Sequence, residues 1–161
     1  MTAEQLVDAL SDLTGVRENF ASVPPGIRAT QLPAPDLKIH DREKIGDIEF
    51  LKVFGMPERQ TVCECERGDD SSLGQALELY NGKTLHGLLS DQNNRFHLAH
   101  KEKHPTEAIL ADLYLRAFSR EPNDEEKKIA VEYFDSAKDK GQALEDIVWV
   151  AINRDEFLFQ Y

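Results

Sequence analysis

Two thiols a single residue apart sit in the densest run of chemistry-bearing side chains in the sequence, Arg59-Gln60-Thr61-Val62-Cys63-Glu64-Cys65-Glu66-Arg67, with Asp69 and Asp70 just behind. Three readings of this pair stand open. Oxidised, Cys63 and Cys65 would close a tight ring around Glu64, and strained disulfides are the labile, redox-active ones. Reduced, they could join Glu64 and Glu66 as ligands of zinc or copper, although a structural zinc takes more protein ligands than one cysteine pair and the chain has no second pair. Buried, they would be small hydrophobes, with Arg59, Glu64, Glu66 and Arg67 pairing off around them.

Histidines make a weaker group. His97 and His100 are spaced to share one face of a helix, and His104 follows a turn later, so a metal is geometrically conceivable. Pro105 biases His104 away from helical geometry, and Asn93-Asn94-Arg95 and Lys101-Glu102-Lys103 around the group have the make-up of a solvated loop or linker helix. The surface reading of these rings is therefore preferred to the metal one. Elsewhere there is no Gly-rich phosphate loop, no His-Glu-x-x-His and no nucleophile elbow. Carboxylate pairs such as Asp69 and Asp70 arise by chance in a chain this acidic, Glu125-Glu126-Lys127-Lys128 reads as the solvated start of a helix, and Trp149 reads as packing.

The elements that must position these residues are helices. Thr2 and Gln5 form a capping box, Leu6, Ala9, Leu10 and Leu13 an apolar stripe, and Gly15 a stop. Pro24-Pro25-Gly26, Pro33 and Pro35 then predict an extended strap over residues 16–44, and a connection this long suits function or docking. Ile48, Phe50, Leu51, Val53 and Phe54 make a short apolar helix or turn ending at Gly55, and residues 56–70 form the cysteine loop. A second capping box, Ser72 with Gln75, opens a helix over Leu73, Ala76, Leu77 and Tyr80 that stops at Asn81-Gly82, and Leu85, Leu88 and Leu89 mark a further short one.

Periodicity is strongest in the last third. Ile109, Leu110, Leu113, Tyr114, Ala117 and Phe118 follow Pro105. Asn123 with Glu126 caps the next helix, predicted to bury Ile129, Tyr133, Phe134 and Ala137 and to stop at Gly141, and the last runs from Gln142 through Leu144, Ile147, Val148 and Ala151. Short connections imply antiparallel neighbours. With no strand alternation in view, the reading is all-α, a single domain over residues 1–161, as an irregular bundle of about five to seven helices with a long Pro-containing loop.

The balance of 19 basic against 30 acidic residues, net −11, argues against binding a phosphate backbone or an anionic bilayer surface. No apolar run approaches the length of a spanning helix, so membrane insertion is not expected. After Met1 the chain enters Thr2-Ala3-Glu4-Gln5 with no signal peptide, which fits either a cytosolic protein or a domain cut from a longer one.

The run Phe54-Gly55-Met56-Pro57-Glu58-Arg59-Gln60-Thr61-Val62-Cys63-Glu64-Cys65-Glu66-Arg67 resembles the C-terminal PSD-one domain, domain of unknown function 1553, of planctomycete-type cytochrome c multidomain proteins. Blocks similar to that family recur at Met1-Thr2-Ala3-Glu4-Gln5-Leu6-Val7-Asp8-Ala9-Leu10, Pro24-Pro25-Gly26, Ser72-Leu73-Gly74-Gln75-Ala76-Leu77, Leu113-Tyr114-Leu115-Arg116-Ala117-Phe118-Ser119-Arg120 and Asn153-Arg154-Asp155-Glu156-Phe157-Leu158. The resemblance implies a C-terminal fragment of a periplasmic or cell-surface protein. Haem would belong only to another domain of the parent, since no Cys-x-x-Cys-His occurs in this chain. An oxidising setting favours a Cys63–Cys65 disulfide. The family brings no catalytic residues. The function implied is a non-catalytic docking module for other domains of its parent or for a protein partner, with a possible role in polysaccharide use. The rivals are a redox accessory using Cys63 and Cys65 and a metal-binding domain.

Overall fold

The computed structural model describes residues 1–17, 20, 23–32, 51, 53–54, 75 and 82–159. These residues are helices and their connections, with no strand among them, and the protein is an all-α bundle. The chain forms two compact units, Met1–Asp12 with Arg17–Gly87 and Leu13–Val16 with Leu88–Tyr161.

Helix α1 spans Ala3–Thr14. Its start is the capping box read from the sequence: Thr2 N–H donates to Gln5 Oε1 at 2.9 Å and Gln5 N–H to Thr2 Oγ1 at 3.2 Å. Leu6, Val7, Leu10 and Leu13 are buried along it, so the stripe is Val7 in place of the half-buried Ala9. Gly15 ends it with φ of +77°, a left-handed conformation that costs glycine little.

In the first unit, the described part of the predicted strap is not wholly extended. After Pro24-Pro25 and Gly26, at φ of +87°, Ala29–Gln31 close into a 3₁₀ turn. Local proline content could not reveal this, because the turn is held by a carboxylate from α1. Helix α2, Lys83–Ser90, follows Gly82 where the leucine spacing placed it, with Leu85, Leu88 and Leu89 buried.

The second unit holds α3 (Arg95–Lys101), α4 (Thr106–Phe118), α5 (Asp124–Ser136), α6 (Lys140–Ile152) and the short α7 (Asp155–Leu158). Its core includes Phe96, Leu110, Leu113, Phe134, Leu144 and Phe157. Asn94 caps α3 through Phe96 N–H and also donates Nδ2–H to Leu88 and Leu89 carbonyls at 3.0 and 3.2 Å, so one buried amide closes α2 and opens α3. The Asn123–Glu126 capping box opens α5 as predicted.

Two expectations fail on α5 and α6. Ile129 is 61% and Tyr133 44% exposed, because Phe134 is the position that turns inward and the other two stand on the flank. Gly141 lies inside α6, whose N-cap is Asp139 accepting from Gln142 N–H at 3.1 Å, while α5 has ended at Ser136. The Ser72 capping position, Leu73, Ala76, Leu77 and Tyr80, and Ile48 and Phe50, lie outside the described residues.

Candidate functional site

The densest polar cluster among the described residues gathers where α4, α5 and α7 meet. Ser119, at φ of +56°, ends α4 in the left-handed conformation and turns the chain, so that the Arg120 guanidinium lies 5.4 Å from the Tyr114 ring centroid and 5.5 Å from that of Phe118. From that seat Arg120 donates to both oxygens of Glu126, at 2.8 and 2.9 Å, and to both of Glu156, at 2.7 and 2.9 Å. Arg154, just before α7, donates to Glu126 Oε1 at 2.8 Å and to the Tyr114 hydroxyl at 3.3 Å, with its guanidinium 5.2 Å from the Phe118 ring. Glu126 also accepts Asn123 N–H at 2.8 Å, so a capping residue is at the same time the hub of a tertiary network.

The electrostatics follow from these bonds. The Arg120 hydrogen bonds, against some opposition from burial, hold the Glu126 carboxyl at about 2, well below its ordinary 4.5. Glu156 is lowered for the same reason, and Arg120 and Arg154 are raised by their carboxylate partners. Burial raises the Tyr114 hydroxyl, with the Glu126 charge adding to it. Two guanidiniums and two carboxylates thus neutralise one another, each group directed at another helix end. Such an arrangement clamps helices. A general acid or base needs a proton that moves near neutral pH, and these groups are driven away from that range.

A second cluster lies in the first unit. The buried Asp8 of α1 accepts from Ala29 N–H at 2.8 Å, Thr30 N–H at 3.2 Å and Thr30 Oγ1–H at 2.6 Å, with Arg28 Nε at 3.4 Å. Arg28 also bonds Asp12. Beside this knot Val7, Asp8, Ser11, Arg17, Phe20 and Ile27 border a recess with room for little more than a water.

Of the residues singled out in the sequence, Cys63, Cys65, Arg59, Glu64, Glu66 and Arg67 lie outside the described residues. The three histidines do not converge. His97, read as a surface residue, is buried on α3, with Nε2 3.1 Å from the Leu89 carbonyl oxygen and 3.3 Å from Glu145 Oε1. Both neighbours are acceptors, an arrangement that suits a ring donating from Nε2. The His100 ring sits edge-on to Phe134 at 5.6 Å, and the exposed His104 lies past the end of α3, beside Glu102. Among the described residues no three His, Cys, Asp or Glu side chains could share a metal ion. Nor is any described helix long and apolar enough to cross a membrane.

Arg120 and Arg154 belong to no local motif that would mark them as site residues in the sequence. Their signal was position: each stands just outside the end of a strongly periodic helix, where a long cation can reach the neighbouring helix's first turn.

A helical bundle tied by such a network is a broad class. Within it, residues 1–134 match the model of the PSD1 family, described as a protein of unknown function (DUF1553), and the chain belongs to that family. No curated protein and no solved structure matches the chain.

Proposed function

We propose that this chain is a non-catalytic helical interaction module, the C-terminal docking domain of an extracytoplasmic protein that carries a c-type cytochrome elsewhere in its length. The observation that carries the reading is the division of labour on its surface: the charged groups of the Arg120–Glu126 cluster are spent on one another, while Ile129, Tyr133 and Val150, all large and apolar, face solvent. Its partners would be the other domains of the parent or a separate protein, within a system that handles redox chemistry or polysaccharide. Haem would sit in the parent's cytochrome domain.

The test is to produce this chain and the preceding domains of the longer protein separately and titrate one into the other by calorimetry. Saturable binding, with no turnover of polysaccharide by the chain, is the expected result. Hydrolysis of a glycan by the chain alone would overturn it, as would a thiol–disulfide activity in the parent that vanishes in Cys63→Ser and Cys65→Ser variants.

A further inference from the structure

Two bonds fix how α5 and α6 run past each other. The Tyr133 hydroxyl donates to Asp146, and Arg154, just past the end of α6, donates to Glu126 in the first turn of α5. The connection between the helices is short, so they are antiparallel. One helical turn along each from the Tyr133–Asp146 bond toward the Glu126–Arg154 bond leads to Ile129 and Val150. The two side chains therefore stand at the same level on the outer seam of the pair, 61% and 55% exposed, with the 44% exposed Tyr133 beside them. Three large apolar groups in one strip along a helix–helix joint are a different matter from three scattered over a surface.

We propose that this seam, centred on Ile129, Tyr133 and Val150, is the docking surface for a basic amphipathic helix of a protein partner. The inference rests on the interaction-module reading and names the surface and the partner chemistry. A groove between two antiparallel helices accepts anchors spaced along one face of a third. The charge of the occupant follows from the rim: Glu125 stands one turn before Ile129 on α5 and Asp146 one turn before Val150 on α6, a carboxylate on each helix. Lys128 and Glu132, one turn apart on α5 at 4.0 Å, offset each other. Arg154, at the far end, is taken by Glu126 and Glu156. Lysines flanking an apolar stripe would meet carboxylates at each side of the seam. A second copy would bring like charge against like, since the chain carries a net −11.

The experiment is fluorescence anisotropy on the full chain with a labelled synthetic helix that carries leucines on one face and lysines on the other. Controls are the same peptide with glutamate in place of lysine and a scramble that abolishes the leucine face. Saturable binding of the lysine peptide is expected, with affinity lower by about tenfold or more for each control and for the Ile129→Ser/Val150→Ser double variant. Both substituted positions are exposed, so the variant should keep the circular dichroism and melting temperature of the parent chain. Equal binding by the double variant, or by either control peptide, overturns the proposal. So does sedimentation showing a dimer of the chain that the double variant dissolves, because the occupant is then a second copy. If the double variant still binds the preceding domains undiminished while losing nothing to the peptide, this surface is wrong and the interaction-module reading survives.

Discussion

Asp8 in the first unit and Glu126 in the second are equally hidden carboxylates, with 10% and 13% of their side chains exposed, yet they are held by opposite kinds of donor. Asp8 is met chiefly by uncharged groups, the amides of Ala29 and Thr30 and the Thr30 hydroxyl, and so fixes the backbone of a connecting segment. Glu126 is met chiefly by guanidiniums and so ties the ends of three helices. With burial nearly equal, the difference lies in the partners. A carboxylate bonded to amides fixes the backbone of the segment that supplies them, whereas one bonded to guanidiniums joins side chains at the ends of several helices, alongside the Arg120–Glu156 and Arg154–Tyr114 contacts.

The comparison is broken hardest at Glu126. Glu126→Ala removes the half of the α5 capping box in which Asn123 N–H donates to the Glu126 carboxylate, and leaves two guanidiniums short of a partner, so a loss of about 2–3 kcal/mol in urea denaturation is expected. A pH series sharpens it. The carboxyl titrates at about 2 in the folded protein against 4.5 ordinarily, so its stabilisation is fully present above 4.5 and is lost as pH falls from there to about 2. The gap in melting temperature between the wild-type chain and Glu126→Gln should narrow over that window. A gap that stays constant would mean that the charge of Glu126 contributes nothing.

Asp8→Ala is expected to cost about 1–2 kcal/mol, since its donors are mostly neutral and the 3₁₀ turn they form can regain water. Exchange of the Ala29 and Thr30 amides, followed by NMR, should quicken in that variant. Gly15→Ala probes the end of α1 and should cost about 1 kcal/mol, both for the left-handed backbone and because a Cβ there would come within 3.2 Å of the Arg95 guanidinium. Ile129→Ser should lie within about 0.5 kcal/mol of wild type. A larger loss would return Ile129 to the core, where its helical spacing first suggested it belonged.

What the sequence made legible was local. Both described capping boxes read from the sequence, the Gly15 stop, the α2 leucines and the existence of the three long helices of the second unit rest on neighbours a turn apart, and these appear as read, although the Gly141 stop does not. What it hid was long-range. Asn123 announced Glu126 as a cap, but no nearby residue announced that Arg120 and Arg154 would share it, or that Asp8 would reach forward to Ala29 and Thr30. Phase was the other failing: Ile129, Tyr133 and Phe134 all fit a broad apolar stripe, and only packing against α6 decides that Phe134 is inside. His97 shows the same limit, since a polar neighbourhood in sequence concealed a ring buried against the Leu89 carbonyl.

The claim that Glu126 clamps helix ends is tested by hydrogen exchange with mass spectrometry on the wild-type chain and Glu126→Gln. Faster exchange is expected in the first turn of α5 and across α7, with the middle of α4 and of α6 unchanged. Unchanged exchange in α7, or a loss spread evenly over every helix of the unit, would contradict it.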